Sequence, residues 1–399
     1  MTDWAALTKR TLAGIETCEP IYRPTNFWGP GVARLLDDLD QEGLKRFKSW
    51  PRAAIWFYPT YGKPFGSAAM KQMFDFARSV NPLVEEPWFR ATLSGGHQAR
   101  RDFDAVRLVW DQARWPFDLE TLGESKVGKP PQHFHLIEGD REAGWTRPYL
   151  NYLLCLAALS RHVSGPPRSF LEIGGGYGVL GEIVLSRDPD GRYVNVDLPP
   201  LTTVSSYYLD ALFGDRITVY DDAIDDTGPV ELSGSASLPN WRIGDIAGPF
   251  DVFVNSFSFQ EMEPDVVERY ISDVAAKEVD WVVSLNSKTG KRKATEGDEV
   301  GVIEPVTSDR IVALFEARGY DLVARYGDPI IQSAGELVIV RRRGVATEPA
   351  LNSVREPLGT TVDLRRNSSK ERPPSSRLAG FARDWLPPKL LQAVRRARR

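Results

Sequence analysis

Only two cysteines, Cys18 and Cys155, occur in 399 residues. That excludes a disulfide framework and a cysteine-based zinc site. No run approaches the roughly 18 apolar residues of a membrane span, and no internal repeat is visible. Met1 to Arg10 contain Asp3, Lys9 and Arg10 with no apolar run behind them, which is not the pattern of a secretory leader. Together these absences predict a cytoplasmic protein. Basic charge is also lacking over most of the chain. Leu364 to Arg399 carry 11 Lys/Arg against 2 Asp/Glu, a net of +9, so a total of −4 leaves −13 for the rest. A body that acidic argues against nucleic acid as the main partner, because a phosphate backbone needs a basic surface.

What remains is a globular composition, 42% hydrophobic and 26% charged, with 11 tryptophans suited to a packed core or to carbohydrate contact. Three regions follow from the pattern. Residues 1–125 read as mainly helical, with helical apolar spacing over Val32–Leu39 and Met70–Val80, broken by Pro51, Pro59, Pro64, Pro82 and Pro87. This region is expected to cover an acceptor pocket or to make a homo-oligomer contact.

Residues 126–343 begin with a lead-in, the Pro130-Pro131 loop and a buried helix over Pro148–Val163, and then alternate strands with helices. Strands are predicted at Phe170–Ile173, Tyr193–Val196, Ile217–Tyr220, Asp251–Val254 and Trp281–Leu285. Closing strands are predicted around Leu322–Arg325 and Glu336–Val340. The intervening helices are placed at Gly178–Leu185, Leu201–Leu212, Pro264–Ala276 and Ser308–Arg318. Alternation implies an α/β fold with a mostly parallel sheet. The last two strands have no long helix between them, which predicts one antiparallel C-terminal strand. Residues 344–399 read as a disordered basic tail rich in Pro, Ser and Arg.

The chemistry-bearing stretch is Glu172-Ile173-Gly174-Gly175-Gly176-Tyr177-Gly178, after a strand and before a helix. Glycines let the backbone turn sharply and approach a ligand, and ligands sit at the carboxyl ends of strands in such sheets. Asp197 ends the next strand, 19 residues past Gly178, where a carboxylate can accept both hydroxyls of a ribose. Gly176, Gly178 and Gly181 also fit the Gly-x-Gly-x-x-Gly dinucleotide fingerprint, so a nicotinamide-dependent oxidoreductase stays open. The acid Glu172 and the closing strand pair count against it.

The Glu-x-Gly-x-Gly-x-Gly spacing resembles motif I of class I S-adenosylmethionine-dependent methyltransferases, whose fold is Rossmann-like. Phe170–Gly178, Val196-Asp197-Leu198-Pro199-Pro200 and Asn255–Met262 together look like the sugar O-methyltransferase family of bacterial surface-glycan genes. The likeness covers roughly Gly128 to Val340, and Asn26-Phe27-Trp28 extend it. It implies S-adenosylmethionine as cofactor, held by Glu172, Gly174, Gly176, Gly178, Asp197, Leu198, Asp222 and Asn255, with Asp222 meeting the adenine amine. It also implies a sugar or glycan-precursor hydroxyl as acceptor. A small-molecule O- or N-methyltransferase and a non-catalytic S-adenosylmethionine-binding protein remain alternatives.

A sugar hydroxyl is a poor nucleophile, so a base or a metal should assist. Glu261, just past the fourth strand, is the leading base candidate. His133 and His135, flanking Phe134 in a loop before the core, come next. His97 and His162 are weaker, His162 reading as a helix C-terminal residue. Some sugar methyltransferases hold magnesium with strand-end acids. Here Asn255 stands where an acid would be expected, which argues against a metal, although Asp221, Asp222 and Glu261 carry suitable oxygens. Asn255, Asn286 and Lys288 are candidate contacts for substrate hydroxyls. In the tail, Leu390, Leu391 and Val394 beside four terminal arginines would suit peripheral contact with an anionic membrane.

Overall fold

The computed structural model describes residues 2–52, 57–62, 68–83, 87–136, 144–220, 234–295, 300–327 and 335–345. The expected Asp222 contact, Asp221 and the basic tail lie outside the described residues. The described residues belong to one compact unit within Met1–Glu348.

The centre is an eight-stranded sheet, β1 Ser169–Ile173, β2 Arg192–Asp197, β3 Ile217–Val219, β4 Ser235–Pro239, β5 Val252–Ser256, β6 Trp281–Ser287, β7 Tyr320–Tyr326 and β8 Gly335–Arg342. Its order is β3-β4-β2-β1-β5-β6-β8-β7. All pairings are parallel up to β6, and β8 runs antiparallel to both β6 and β7. This is the expected α/β class, with one reversed strand near the C-terminal edge.

Eight strands replace the seven expected, because β4 was not anticipated. Its sequence Ser-Ala-Ser-Leu-Pro has little intrinsic strand preference. Burial on both faces makes it a strand, all five residues being buried. Its Ser237 hydroxyl meets the Ser205 hydroxyl of a packing helix. The insertion pushes β3 to the edge and puts β4 beside β2, with Pro239 level with Asp197.

Helices α1 Trp4–Thr17, α2 Trp28–Glu42, α3 Ala68–Val80, α4 Pro87–Ser94 and α5 Gly96–Val109 make up much of the first 125 residues. Helices α2 and α5 and the turn after α2 share the sheet's core. Trp28, Leu35, Phe47 and Phe103 belong to the same buried cluster as Val179, Leu180, Val254 and Val283. Helix α1, weakly patterned in sequence, docks on α8 (Leu201–Phe213), with Trp4 and Tyr207 rings 5.6 Å apart.

Helix α6, Arg147–Ser160, is buried along nearly its whole length and starts on the Thr146 cap. Helices α7 Val179–Arg187, α9 Pro264–Ala275 and α10 Ser308–Glu316 fall where the strand–helix alternation predicted. Among the described residues no helix is long and apolar enough to cross a membrane.

Candidate active site

The chain order reverses at β1, whose neighbours are β2 on one side and β5 on the other. Such a switch point opens a crevice beyond the strand ends. A cavity of about 280 Å³ lies there, lined by the glycine loop, Asp197, Leu198 and the residues after β5.

The loop's backbone needs glycine at defined places. Gly174, Gly176 and Gly178 have φ of +70°, +59° and +89°, a region costly for a side-chain-bearing residue. A Cβ on Gly174 would also run into the Ser258 hydroxyl, whereas one on Gly176 would meet only Phe57 Cβ, at 3.6 Å. Gly174 and Gly176 face the cavity, while Gly178 stands behind it at the start of α7. Gly181 lets α7 approach the Tyr193 ring.

Glu172 is fully buried beneath the loop rather than in the cavity wall. It accepts the Tyr193 hydroxyl at 2.5 Å. Burial pushes its carboxyl up to about 7 against the Tyr152 and Tyr193 hydroxyls. Asp197 does line the cavity. Its Oδ2 accepts the Gly176 N–H at 2.8 Å and its Oδ1 the Leu198 N–H at 2.7 Å. Burial raises this carboxyl to about 8, opposed by those two backbone donors. Each oxygen retains a lone pair for a ligand hydroxyl.

The strand-end residue beside Asp197 is Asn240, which sequence reasoning missed along with β4. It is 3% exposed and lines the cavity. Its Nδ2 donates to the Tyr22 carbonyl at 2.7 Å and meets the Tyr270 hydroxyl at 2.8 Å. A carbonyl only accepts, so the amide orientation is settled. Asn240 Oδ1 is left buried without a partner. Such an orphan acceptor costs roughly 1–3 kcal/mol unless a ligand donor meets it.

Across the cavity, Glu261 is 9% exposed and ends a short 3-10 turn over Phe259–Glu261. Its Oε1 lies 3.0 Å from Lys291 Nζ. Burial pushes its carboxyl up to about 7, opposed by Lys291 and the Trp28 side chain. Phe257, at the end of β5, sits at φ +59° and lines the same space. The wall is completed by Trp28, Phe57 and Pro59 from the N-terminal region and by Arg147, Asn151 and Tyr152 from α6. Only Trp28 had a sequence signal, through the Asn26-Phe27-Trp28 likeness.

Other candidates stand outside the wall. Asn255 donates to the Ile173 carbonyl at 3.0 Å and accepts from the Phe259 N–H at 3.0 Å and from Asn286 at 2.9 Å. Asn286 accepts the Gln260 N–H at 3.2 Å. Both amides shape the turn after β5. Lys288 is largely exposed, 3.8 Å from Glu336. His133 binds the Glu124 carbonyl at 3.0 Å, with its ring 6.0 Å from that of His135, and neither lines the cavity. Burial lowers His133. His162 bonds Tyr326 at 2.8 Å and does not line the cavity. Among the described residues no group of three His, Cys, Asp or Glu is placed to hold a metal.

Behind the loop lies a buried ionic cluster with no counterpart in the sequence reading. Lys48 and Glu124, both with 0% exposed side chains, are 2.7 Å apart. Glu124 accepts from Tyr177 of the loop at 3.0 Å and Lys48 meets Tyr208 at 3.0 Å. Tyr208 donates to Glu182 at 2.6 Å. The N-terminal region thus braces the loop directly.

No protein-family model matches the chain, and no curated protein matches it. Among solved structures, mitomycin 7-O-methyltransferase aligns with 49% of this chain and 58% of its own, at 17% identity and a TM-score of 0.34. Magnesium protoporphyrin IX methyltransferase from Synechocystis PCC 6803 with bound SAM aligns over 48% and 77%, at 8% identity and 0.32. The pyocyanin biosynthetic protein PhzM aligns over 49% and 59%, at 16% identity and 0.32. The match to the first of these spans less than two thirds of that chain.

Proposed function

We propose that the protein transfers a methyl group from S-adenosylmethionine to a hydroxyl, and that the acceptor is a sugar or glycan precursor. The observation that carries the cofactor reading is the cavity's pairing of Asp197 with Asn240 Oδ1 beside the glycine loop. A carboxylate for ribose hydroxyls, an orphan acceptor for an amino group and an open loop suit a nucleoside with an exocyclic amine. Gly174 to Tyr177 would lie against the amino-acid part, Asp197 and Leu198 against the ribose, and Asn240 against the base.

When bound, S-adenosylmethionine supplies an electrophilic methyl on sulfonium. The protein's part is alignment, which can lower a barrier by roughly 7–11 kcal/mol, and removal of the acceptor's proton. Glu261 is the residue for that step. With the methyl so supplied, Glu261 would take up the proton that the acceptor hydroxyl gives up. A carboxyl pushed up to about 7 is basic enough to take a proton yet ionised in part at neutral pH. Lys291 at 3.0 Å holds it in place.

The hydroxyl and sugar assignments rest on the likeness of Asn255–Met262 and on the Trp28 and Phe57 rings in the wall.

Calorimetry with S-adenosylmethionine, S-adenosylhomocysteine and NAD on wild type and Asp197→Ala tests the cofactor. Tight binding of the first two, weakened by the substitution, is expected. Binding of NAD alone would replace the reading with an oxidoreductase. Mass spectrometry of nucleotide sugars and lipid-linked glycans incubated with enzyme and cofactor tests the acceptor. Methylation only of nitrogen, or only of non-sugar molecules, removes the sugar assignment.

A further inference from the structure

Among the described residues four charged side chains line the cavity, namely Asp197, Glu261, Lys291 and Arg147. Three have evident employment. Asp197 is tied to the Gly176 and Leu198 N–H groups, and Glu261 and Lys291 pair at 3.0 Å. Arg147 is the exception. Its guanidinium makes one long bond, 3.4 Å, to the Thr60 carbonyl and lies 5.8 Å from the Tyr61 ring. No carboxylate pairs with it among the described residues. Asp102, the acid bonded to Tyr61, is already engaged by Arg101 at 3.2 Å and by the Tyr61 hydroxyl at 2.5 Å.

A guanidinium in a cavity wall with most of its donors unspent is suited to bidentate capture of an oxyanion. The electrostatics point the same way. A donor with a sulfonium and an ammonium group brings two positive charges into a space that already holds Arg147. At close range like charges repel by kilocalories unless a counter-charge intervenes. Position fits as well. Arg147 opens α6, whose Asn151 and Tyr152 line the same cavity one turn and more along. Thr60, its hydrogen-bond partner among the described residues, is next to Pro59 and three residues from Phe57, which approaches Gly176.

We infer that Arg147 is the centre of an oxyanion subsite in this cavity, taking either the carboxylate of the cofactor's amino-acid part or an anionic group of the acceptor. The inference rests on the methyltransferase reading.

The probes are S-adenosylhomocysteine and 5′-methylthioadenosine, which share nucleoside and thioether but differ in the amino-acid part. They are titrated into wild type, Arg147→Met and Arg147→Lys, with melting temperatures checked. If the cofactor's carboxylate is held, Arg147→Met weakens S-adenosylhomocysteine roughly ten- to hundredfold. Methylthioadenosine then moves less than about threefold, and Arg147→Lys recovers part of the loss. If the acceptor's anion is held, neither adenosine compound moves. Instead, D-glucose 1-phosphate binding to the protein saturated with S-adenosylhomocysteine is lost in Arg147→Met, while D-glucose behaves as in wild type. Equal weakening of both adenosine compounds, or no change with any probe, overturns the subsite and leaves Arg147 as a brace for Thr60. Wild type that binds neither adenosine compound fails the methyltransferase reading itself, a result visible before any Arg147 variant is compared.

Discussion

The two walls of the cavity are built on different plans. One wall is nearly continuous in sequence, with Gly174–Tyr177 closing β1 and Asp197-Leu198 closing β2. Its shape comes from backbone, through positive-φ glycines and N–H groups bonded to a strand-end carboxylate. The facing wall is assembled from Trp28, Phe57, Arg147, Asn240, Glu261 and Lys291, drawn from segments up to 263 residues apart in the numbering. Its shape comes from side chains held by packing. A wall made by local backbone geometry carries a spacing motif, and a wall made by tertiary packing does not. The difference also suggests a division of labour, with the first wall binding the cofactor's amino-acid part and ribose, and the second supplying Asn240 for the base and Glu261 for the acceptor.

The sharpest test of that division is Glu261→Gln. Losing the proton acceptor should lower kcat roughly 10²- to 10⁴-fold, with the Kd for S-adenosylhomocysteine moving less than about threefold. The wild-type rate should rise with pH through about 7, the value to which burial brings this carboxyl, and that limb should vanish in the variant. A cofactor Kd that moves as much as kcat would break the division between walls.

Next in size is the link between the walls. Lys48→Met leaves Glu124 buried beside Tyr177 without its cation. Stability to denaturant should fall by about 3–5 kcal/mol, as for other broken buried pairs. Unchanged stability would mean that the N-terminal region only rests against the loop.

Asp197→Ala should weaken S-adenosylhomocysteine roughly 100-fold by calorimetry above pH 8, where this carboxyl is ionised, the cost of two hydrogen bonds to a charged group, without changing the pH limb attributed to Glu261. A smaller effect belongs to Asn240. Wild type should prefer S-adenosylhomocysteine to its inosine analogue, which presents an oxygen where the amine was. Asn240→Ala should shrink that preference by roughly tenfold. Equal affinity for both compounds in wild type would detach Asn240 from the base.

A separate test reads stability against pH. Glu172, Asp197 and Glu261 are raised to about 7, 8 and 7 by burial. The folded protein therefore holds protons that the unfolded chain has released above about pH 4. Their contribution is fully present below that pH and is lost as pH rises through 7–8. The ligand-free protein should melt at progressively lower temperature from pH 5 to pH 8 in a calorimetric scan, and a rise over that range would contradict the buried placement of these acids.

Much of the sheet was legible from residue pattern. Phe170–Ile173, Tyr193–Val196 and Trp281–Leu285 are mainly apolar runs bounded by turn residues, and each is an interior strand of the sheet. The reversed β8 followed from the missing helix before it. Ser235–Pro239 was not legible, because small hydroxyl residues become a strand only between β2 and β3. Its omission also misdirected the reading of the third acid, since the strand next to β2 ends at Pro239 and is followed by Asn240. Asn255 and Asn286 look like ligand contacts by their place at strand ends, yet their amides are spent on the turn that carries Gln260 and Glu261.

By itself the sequence determined the α/β alternation, the glycine loop and the carboxylate that closes β2. Those depend on period, φ preference and spacings of a few residues, which are local properties of a chain. Only the tertiary structure decided that β4 would displace β3, that Asn240 would be left with an open acceptor, and that Lys48 would brace the loop through Glu124. It also decided that Arg147 would share a cavity with Glu261. Each of these depends on burial and on partners distant in the chain, and the energy of a buried polar group is set by the neighbours that folding brings to it.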